Sequence, residues 1–137
     1  METVTVTETI DADVDRLRDA MTDIGPFMRA AGFDDVAVDG DIVRITNGVG
    51  LATIELELEI IEDSDAVLAY EQRDGIFDEM VTRYTLTETP GGIEIEARTE
   101  FAVQARLVGP VLDTTVVSRQ RRRELTAQFD YLAALSE

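Results

Sequence analysis

Histidine, cysteine, lysine and tryptophan are all absent from this 137-residue chain. Each absence removes a branch of chemistry. Without cysteine there is no disulfide, no thiolate metal site and no thiol nucleophile. Without histidine there is no imidazole base, no Ser-His-Asp triad and no imidazole-ligated zinc. Without lysine there is no Schiff base and no P-loop lysine. Carboxylates and tyrosine are the proton carriers that remain, and neither a cofactor nor a metal is expected. The apolar runs are too short to span a bilayer, so no transmembrane segment is expected. Met1-Glu2-Thr3 is acidic and leads straight into a strand pattern. That start predicts no signal peptide and a cytoplasmic protein.

What the chain has in excess is acid. Asp and Glu number 29 against 12 basic residues, all of them Arg, for a net charge of −17. The acids are spread along the chain and form no tail. Such a surface repels itself unless salt screens it, so the composition points to a salt-loaded cytoplasm, that of a halophile. It also argues against nucleic acid as a partner, because a polyanion needs a basic surface. With 45% hydrophobic residues the chain can bury a substantial core, and its length suits a single domain spanning 1–137.

Periodicity sets the elements. Thr3 to Ile10 alternates as a strand. Asp11 or Asp13 can cap a helix on which Val14, Leu17, Ala20, Met21 and Ile24 recur at helical spacing. Gly25-Pro26 is expected to interrupt it, with a second short helix from Phe27 to Ala31. Phe33–Val38 and Ile42–Thr46 flank the hairpin signal Asp39-Gly40-Asp41. In Leu51–Ile61, Ile54, Leu56, Leu58 and Ile60 share one face while Glu55, Glu57 and Glu59 share the other, the mark of a sheet covered on one side. Ala66–Arg73, Met80–Glu88 and Ile93–Val103 continue the run of strands. A long helix is expected from Gly109-Pro110 to about Leu135. At ~100° per residue its inward stripe reads Leu107, Val111, Thr114, Ser118, Leu125, Phe129 and Leu132, widened by Leu112, Val116 and Val117.

Antiparallel strands with one apolar face need a cover, and only the last helix is long enough. The expected fold is α+β: a curved antiparallel sheet of about seven strands around a long C-terminal helix, with two short helices after the first strand.

Three segments carry a family resemblance: Val4-Thr5-Val6-Thr7-Glu8-Thr9-Ile10-Asp11-Ala12-Asp13-Val14, Met21-Thr22-Asp23, and Gly109-Pro110-Val111-Leu112 onward through Gln128-Phe129-Asp130-Tyr131-Leu132. Together they resemble the START-like (SRPBCC, helix-grip) superfamily, nearest to the carbon monoxide dehydrogenase G-subunit and coenzyme-Q-binding members. The likeness covers nearly the whole chain and brings no diagnostic catalytic signature. It implies a hydrophobic cavity between sheet and last helix, filled in the family by lipids, quinones, hormones or polyketides. The chain departs from the catalytic cyclase pattern in having no histidine.

On this reading the ligand-binding residues are Ile54, Leu56, Tyr70, Met80, Tyr84, Phe101, Leu112, Val116 and Arg122. The same residues would equally make a packed core. Arg119, Arg121, Arg122 and Arg123 form a basic cluster that either pairs with acids such as Glu124 in solvent or anchors a ligand head group, with Arg122 as the inward-leaning member. Tyr84 is a second group able to orient a ligand. Thr114 and Ser118 either bond back to the helix or touch a ligand. Glu55, Glu57 and Glu59 read as a wet face and not as a metal site. Ile76 and Phe77 either tuck back, gate the cavity, or offer a hydrophobic tip to a protein partner or a membrane surface. Three functions follow: non-catalytic binding of a hydrophobic small molecule, a cyclase- or dehydratase-type enzyme, and an assembly factor for a redox enzyme.

Overall fold

A computed structural model describes residues 1–49, 51–104 and 113–136. The elements run β1 (Glu2–Ile10), α1 (Val14–Thr22), α2 (Ile24–Arg29), β2 (Asp35–Asp39), β3 (Ile42–Val49), β4 (Ala52–Ile61), β5 (Leu68–Asp74), β6 (Phe77–Thr89), β7 (Gly92–Val103) and α3 (Thr114–Leu135). The strands form one seven-stranded antiparallel sheet in the order β1-β7-β6-β5-β4-β3-β2. The sheet is curved, and the long α3 lies in its grip.

Alternation decides which face is covered. Val43 and Ile45 on β3, Ile54 and Leu58 on β4, Tyr70 on β5, Met80 and Tyr84 on β6, and Ile95, Ala97 and Phe101 on β7 all turn inward and are buried. From the helices, Leu17, Met21, Phe27, Met28, Leu125, Phe129 and Leu132 meet them in one core. Opposite, Glu57 and Glu59 face outward beside Arg44 and Arg73, at 3.2 and 3.8 Å. Gly40 turns the β2–β3 hairpin at φ +60°, where a Cβ would be strained.

Two helix boundaries differ from expectation. The first break falls at Asp23, not at Gly25-Pro26, which sit in the first turn of α2. A proline there lacks only an N–H that the helix would not have used. At the other end, α3 begins at Thr114. Asp113 is extended, and its carboxylate accepts from the Val116 N–H at 2.8 Å, so a side-chain cap starts α3. Gly109, Pro110, Leu107, Val111 and Leu112 lie outside the described residues.

The sheet is not paired along its whole length. β3 and β4 pair from Val49 opposite Ala52 to Ile42 opposite Glu59, but β4 and β5 pair only from Glu57 to Ile61, with a register shift beside Leu58. The first five residues of β4 therefore have no β5 neighbour, and the sheet is open at that end. Ile76 and Phe77, where β5 turns into β6, share a cavity wall with Ile54 and Leu56 of β4.

Candidate functional site

One cavity sits at the open end, between the sheet and the first half of α3. Phe33, Ile54, Leu56, Ile76, Phe77 and Val117 give it an apolar wall; Asn47, Gln120, Arg121 and Glu124 give it a polar one. Its volume is about 30 Å³, room for one or two waters.

Apart from Asn47 on β3, the polar wall comes from α3. Val117, Arg121, Glu124 and Gln128 follow at helical spacing and are all buried. Arg121 donates from Nη1 to Glu124 Oε1 at 2.7 Å, with the two side chains 8% and 5% exposed. The second oxygen of Glu124 accepts from Asn47 Nδ2 at 3.2 Å and from Gln120 Nε2 at 3.1 Å. From Nη2, Arg121 reaches Thr82 Oγ1 at 3.0 Å and the Tyr70 hydroxyl at 3.4 Å. Among the described residues Arg121 Nε has no hydrogen-bond partner.

Behind this pair runs a chain of neutral groups. Tyr84 donates to Gln128 Oε1 at 2.6 Å, and the Tyr70 and Tyr84 hydroxyls lie 3.2 Å apart. Because the one Tyr84 proton goes to Gln128, Tyr70 is the donor between the two tyrosines. Gln128 Nε2 ends the chain on the Phe27 carbonyl at 3.2 Å. Burial pushes the Tyr84 hydroxyl well above its usual value, with Tyr70 adding to the rise, so it stays neutral. Burial alone works against the Arg121 charge. Its pKa is nevertheless raised, the Glu124 carboxylate 2.7 Å away holds the charge in place, and the guanidinium stays protonated.

The residues expected at the site separate into groups. Ile54 and Leu56 line the cavity. Tyr70 and Tyr84 stand behind it in the hydrogen-bond chain. Met80 and Phe101 are packed in the core, and Val116 lies half-buried against it. Leu112 is outside the described residues. Arg122 does not lean inward: it is exposed and donates to the Thr5 carbonyl at 3.2 Å, while its neighbour Arg121 is the buried arginine. Thr114 and Ser118 border β1 and do not face the interior. Both corrections have one cause. The buried face of α3 is rotated by roughly 45° from the apolar stripe, because it takes in the Arg121–Glu124 pair and Gln128, each with hydrogen-bond partners inside the fold.

The exposed apolar tip at Ile76 and Phe77 is absent. Phe77 is 3% exposed and packs on Phe101 with ring centroids 5.3 Å apart. Gln72 clamps its backbone, accepting from the Phe77 N–H at 3.0 Å and donating to its carbonyl at 2.8 Å. Both residues instead wall the cavity.

Asn47, Thr82 and Gln128 were not expected at the site, and Arg121 and Glu124 were expected only as members of the basic cluster and its acid partner. Asn47 follows Val43 and Ile45 on the buried face of β3, and Thr82 falls between Met80 and Tyr84 on β6. A polar residue in phase with buried apolar ones was the signal available.

No family model matches the sequence, and no curated protein does. Solved structures are similar in fold. A protein from Thermus thermophilus superposes with a TM-score of 0.75 at 14% identity, covering 99% of this chain and 100% of its own. The Zhui aromatase/cyclase from a Streptomyces species gives 0.74 at 17% identity over 96% and 93% of the two chains. A START superfamily protein from Mycobacterium smegmatis gives 0.71 at 12% identity over 98% and 96%. The chain therefore has the START-like, helix-grip fold. Among the described residues no helix is long and apolar enough to cross a membrane.

Proposed function

We propose that the protein binds a small molecule with an apolar body, seated at the open end of the sheet with a hydrogen-bond-accepting group on Arg121. One observation carries this reading: a buried arginine on the wall of an apolar cavity keeps an unused N–H. A buried polar group without a partner costs stability, and a bound acceptor would relieve that cost. The apolar wall supplies affinity at ~25 cal/mol per Å² buried.

Ligand sites commonly enclose ~300–1,000 Å³, far more than the about 30 Å³ found here. Binding therefore requires the Ile76–Phe77 turn to move off Leu56. The start of β4 has no β5 strand beside it, so no strand pairing ties it to that turn. The family-level reading, a single SRPBCC domain spanning 1–137 near the carbon monoxide dehydrogenase G-subunit and coenzyme-Q-binding members, follows the sequence resemblance, with the helix-grip fold in support. Lipid, quinone or polyketide-like cargo belongs to the same proposal, as does a cytoplasmic location in a halophile.

Native mass spectrometry of gently extracted protein tests binding. A non-covalent adduct lost on denaturation is expected. A bare protein that also fails to bind the neutral dye Nile red would overturn the proposal.

A cyclase- or dehydratase-type enzyme is the second reading, favoured by Arg121 and Glu124 on the cavity wall. Both Glu124 oxygens are already engaged, so proton transfer would first require a partner to leave. Turnover of a bound ligand that disappears in Glu124→Gln, with binding retained, would establish it.

A further inference from the structure

The charges around Arg121 say which acceptor the cavity takes. The inference rests on the binding reading above. Arg121 brings one positive charge and Glu124, 2.7 Å away, one negative charge. Tyr70, Tyr84, Thr82, Asn47, Gln120 and Gln128, the other polar groups of the network, carry no charge in their ordinary forms. The buried site is thus neutral as it stands. Glu124 already occupies Nη1, and Thr82 and Tyr70 occupy Nη2. Of the five N–H groups of a guanidinium that leaves two, one on Nη1 and the one on Nε, and these do not lie side by side, because the neighbour of each belongs to Nη2.

A ligand carboxylate fits this arrangement badly. Its strong pairing with arginine is bidentate and needs two N–H groups side by side. It would also add an unpaired negative charge to a buried neutral site, next to the Glu124 carboxylate. The net charge of −17 works in the same direction over longer range. A carbonyl oxygen needs one donor and brings no charge. We infer that the cavity selects an apolar molecule ending in a neutral carbonyl over the corresponding carboxylate, and that Glu124, by neutralising Arg121, is the residue that sets this preference.

The test compares decane, 2-decanone and decanoate at neutral pH by displacement of Nile red, in wild type and in Glu124→Gln. In wild type, 2-decanone should bind more tightly than decane, and about ten- to a hundredfold more tightly than decanoate. In Glu124→Gln the free Arg121 charge should reverse the order of ketone and carboxylate. Decanoate binding as tightly as 2-decanone in wild type would overturn the inference while leaving the binding reading intact, and so would an unreversed order in a folded variant. The wild-type comparison stands alone if Glu124→Gln does not fold, which thermal unfolding reports. If neither dye nor any decane derivative binds, the binding reading itself fails and takes the inference with it.

Discussion

Replacing Arg121 by Met removes one partner of a buried ion pair and leaves the other in place. Glu124 would keep only Asn47 and Gln120 as donors, at 3.2 and 3.1 Å, around a carboxylate 5% exposed. Stranding a buried charge in this way costs about 3–5 kcal/mol. For 137 residues the unfolding entropy is ~0.3 kcal/mol per K, so Tm should fall by roughly 10–17 °C. Arg121→Met with Glu124→Leu removes both charges and should recover most of that loss. A deficit of about 1–2 kcal/mol should remain for the Asn47 amide, which loses its acceptor. Thr82 keeps Thr99 at 2.8 Å, and Tyr70 keeps Tyr84. Arg119 is exposed, and Arg119→Met makes the same charge change at a cost within about 0.5 kcal/mol. Urea unfolding at one fixed salt concentration measures all three. An Arg121→Met cost below about 1 kcal/mol, or a double variant no better than the single one, would refute a buried, mutually dependent pair.

Gly75→Ala tests the wall of the cavity: at φ +150° a Cβ would collide with Leu56 Cδ2 and stand 2.6 Å from Gln72 Oε1. It should cost about 1–3 kcal/mol in urea unfolding and speed hydrogen exchange around Phe77; an unchanged midpoint would contradict the packing described. The raised Tyr84 pKa predicts an alkaline limit. Its contribution is full below the unfolded value of about 10 and is lost as pH rises above that toward the folded value, by up to ~1.4 kcal/mol per pH unit. Absorbance at the tyrosinate band should show Tyr84 ionising only with unfolding, and a fully reversible titration of every tyrosine in folded protein would contradict this. Asp63 is held below the usual carboxylate range by the Asp65 N–H and then by Arg83. That contribution is present above the unfolded value and fades as pH falls through the folded one, so Asp63→Asn should flatten the acid limb of stability. Screening of the −17 charge should raise Tm between about 0.1 and about 2 M KCl; a Tm insensitive to salt would remove the halophile reading.

The sheet was legible because its alternation is strict. Ile54 and Leu58 against Glu55, Glu57 and Glu59 leave one register, and the pairing of β3 with β4 follows it. The helix-grip order followed because α3 alone could cover such a face. The site was less legible, since hydrophobic periodicity finds apolar residues and the polar wall is built from the others. Arg121 and Arg122 are adjacent and chemically identical. What separates them is that Arg121 meets Glu124, Thr82 and Tyr70, from β5, β6 and its own helix, whereas Arg122 meets the β1 backbone. Such partners are fixed by tertiary contacts that no local pattern records. Ile54 and Leu56 could be assigned to the cavity face, yet whether that face was filled depended on where β5 stops pairing with β4.

The central claim is that Arg121 Nε meets a ligand at the open end of the sheet. The Nε–Hε resonance of Arg121, followed by NMR during titration with 2-decanone and assigned through Arg121→Met, tests it most directly. The account expects a saturable downfield shift of that resonance, accompanied by shifts at Ile54, Leu56 and Ile76, with the same Kd as dye displacement. Saturable binding with the Arg121 resonance unmoved, or no binding at all, would contradict it.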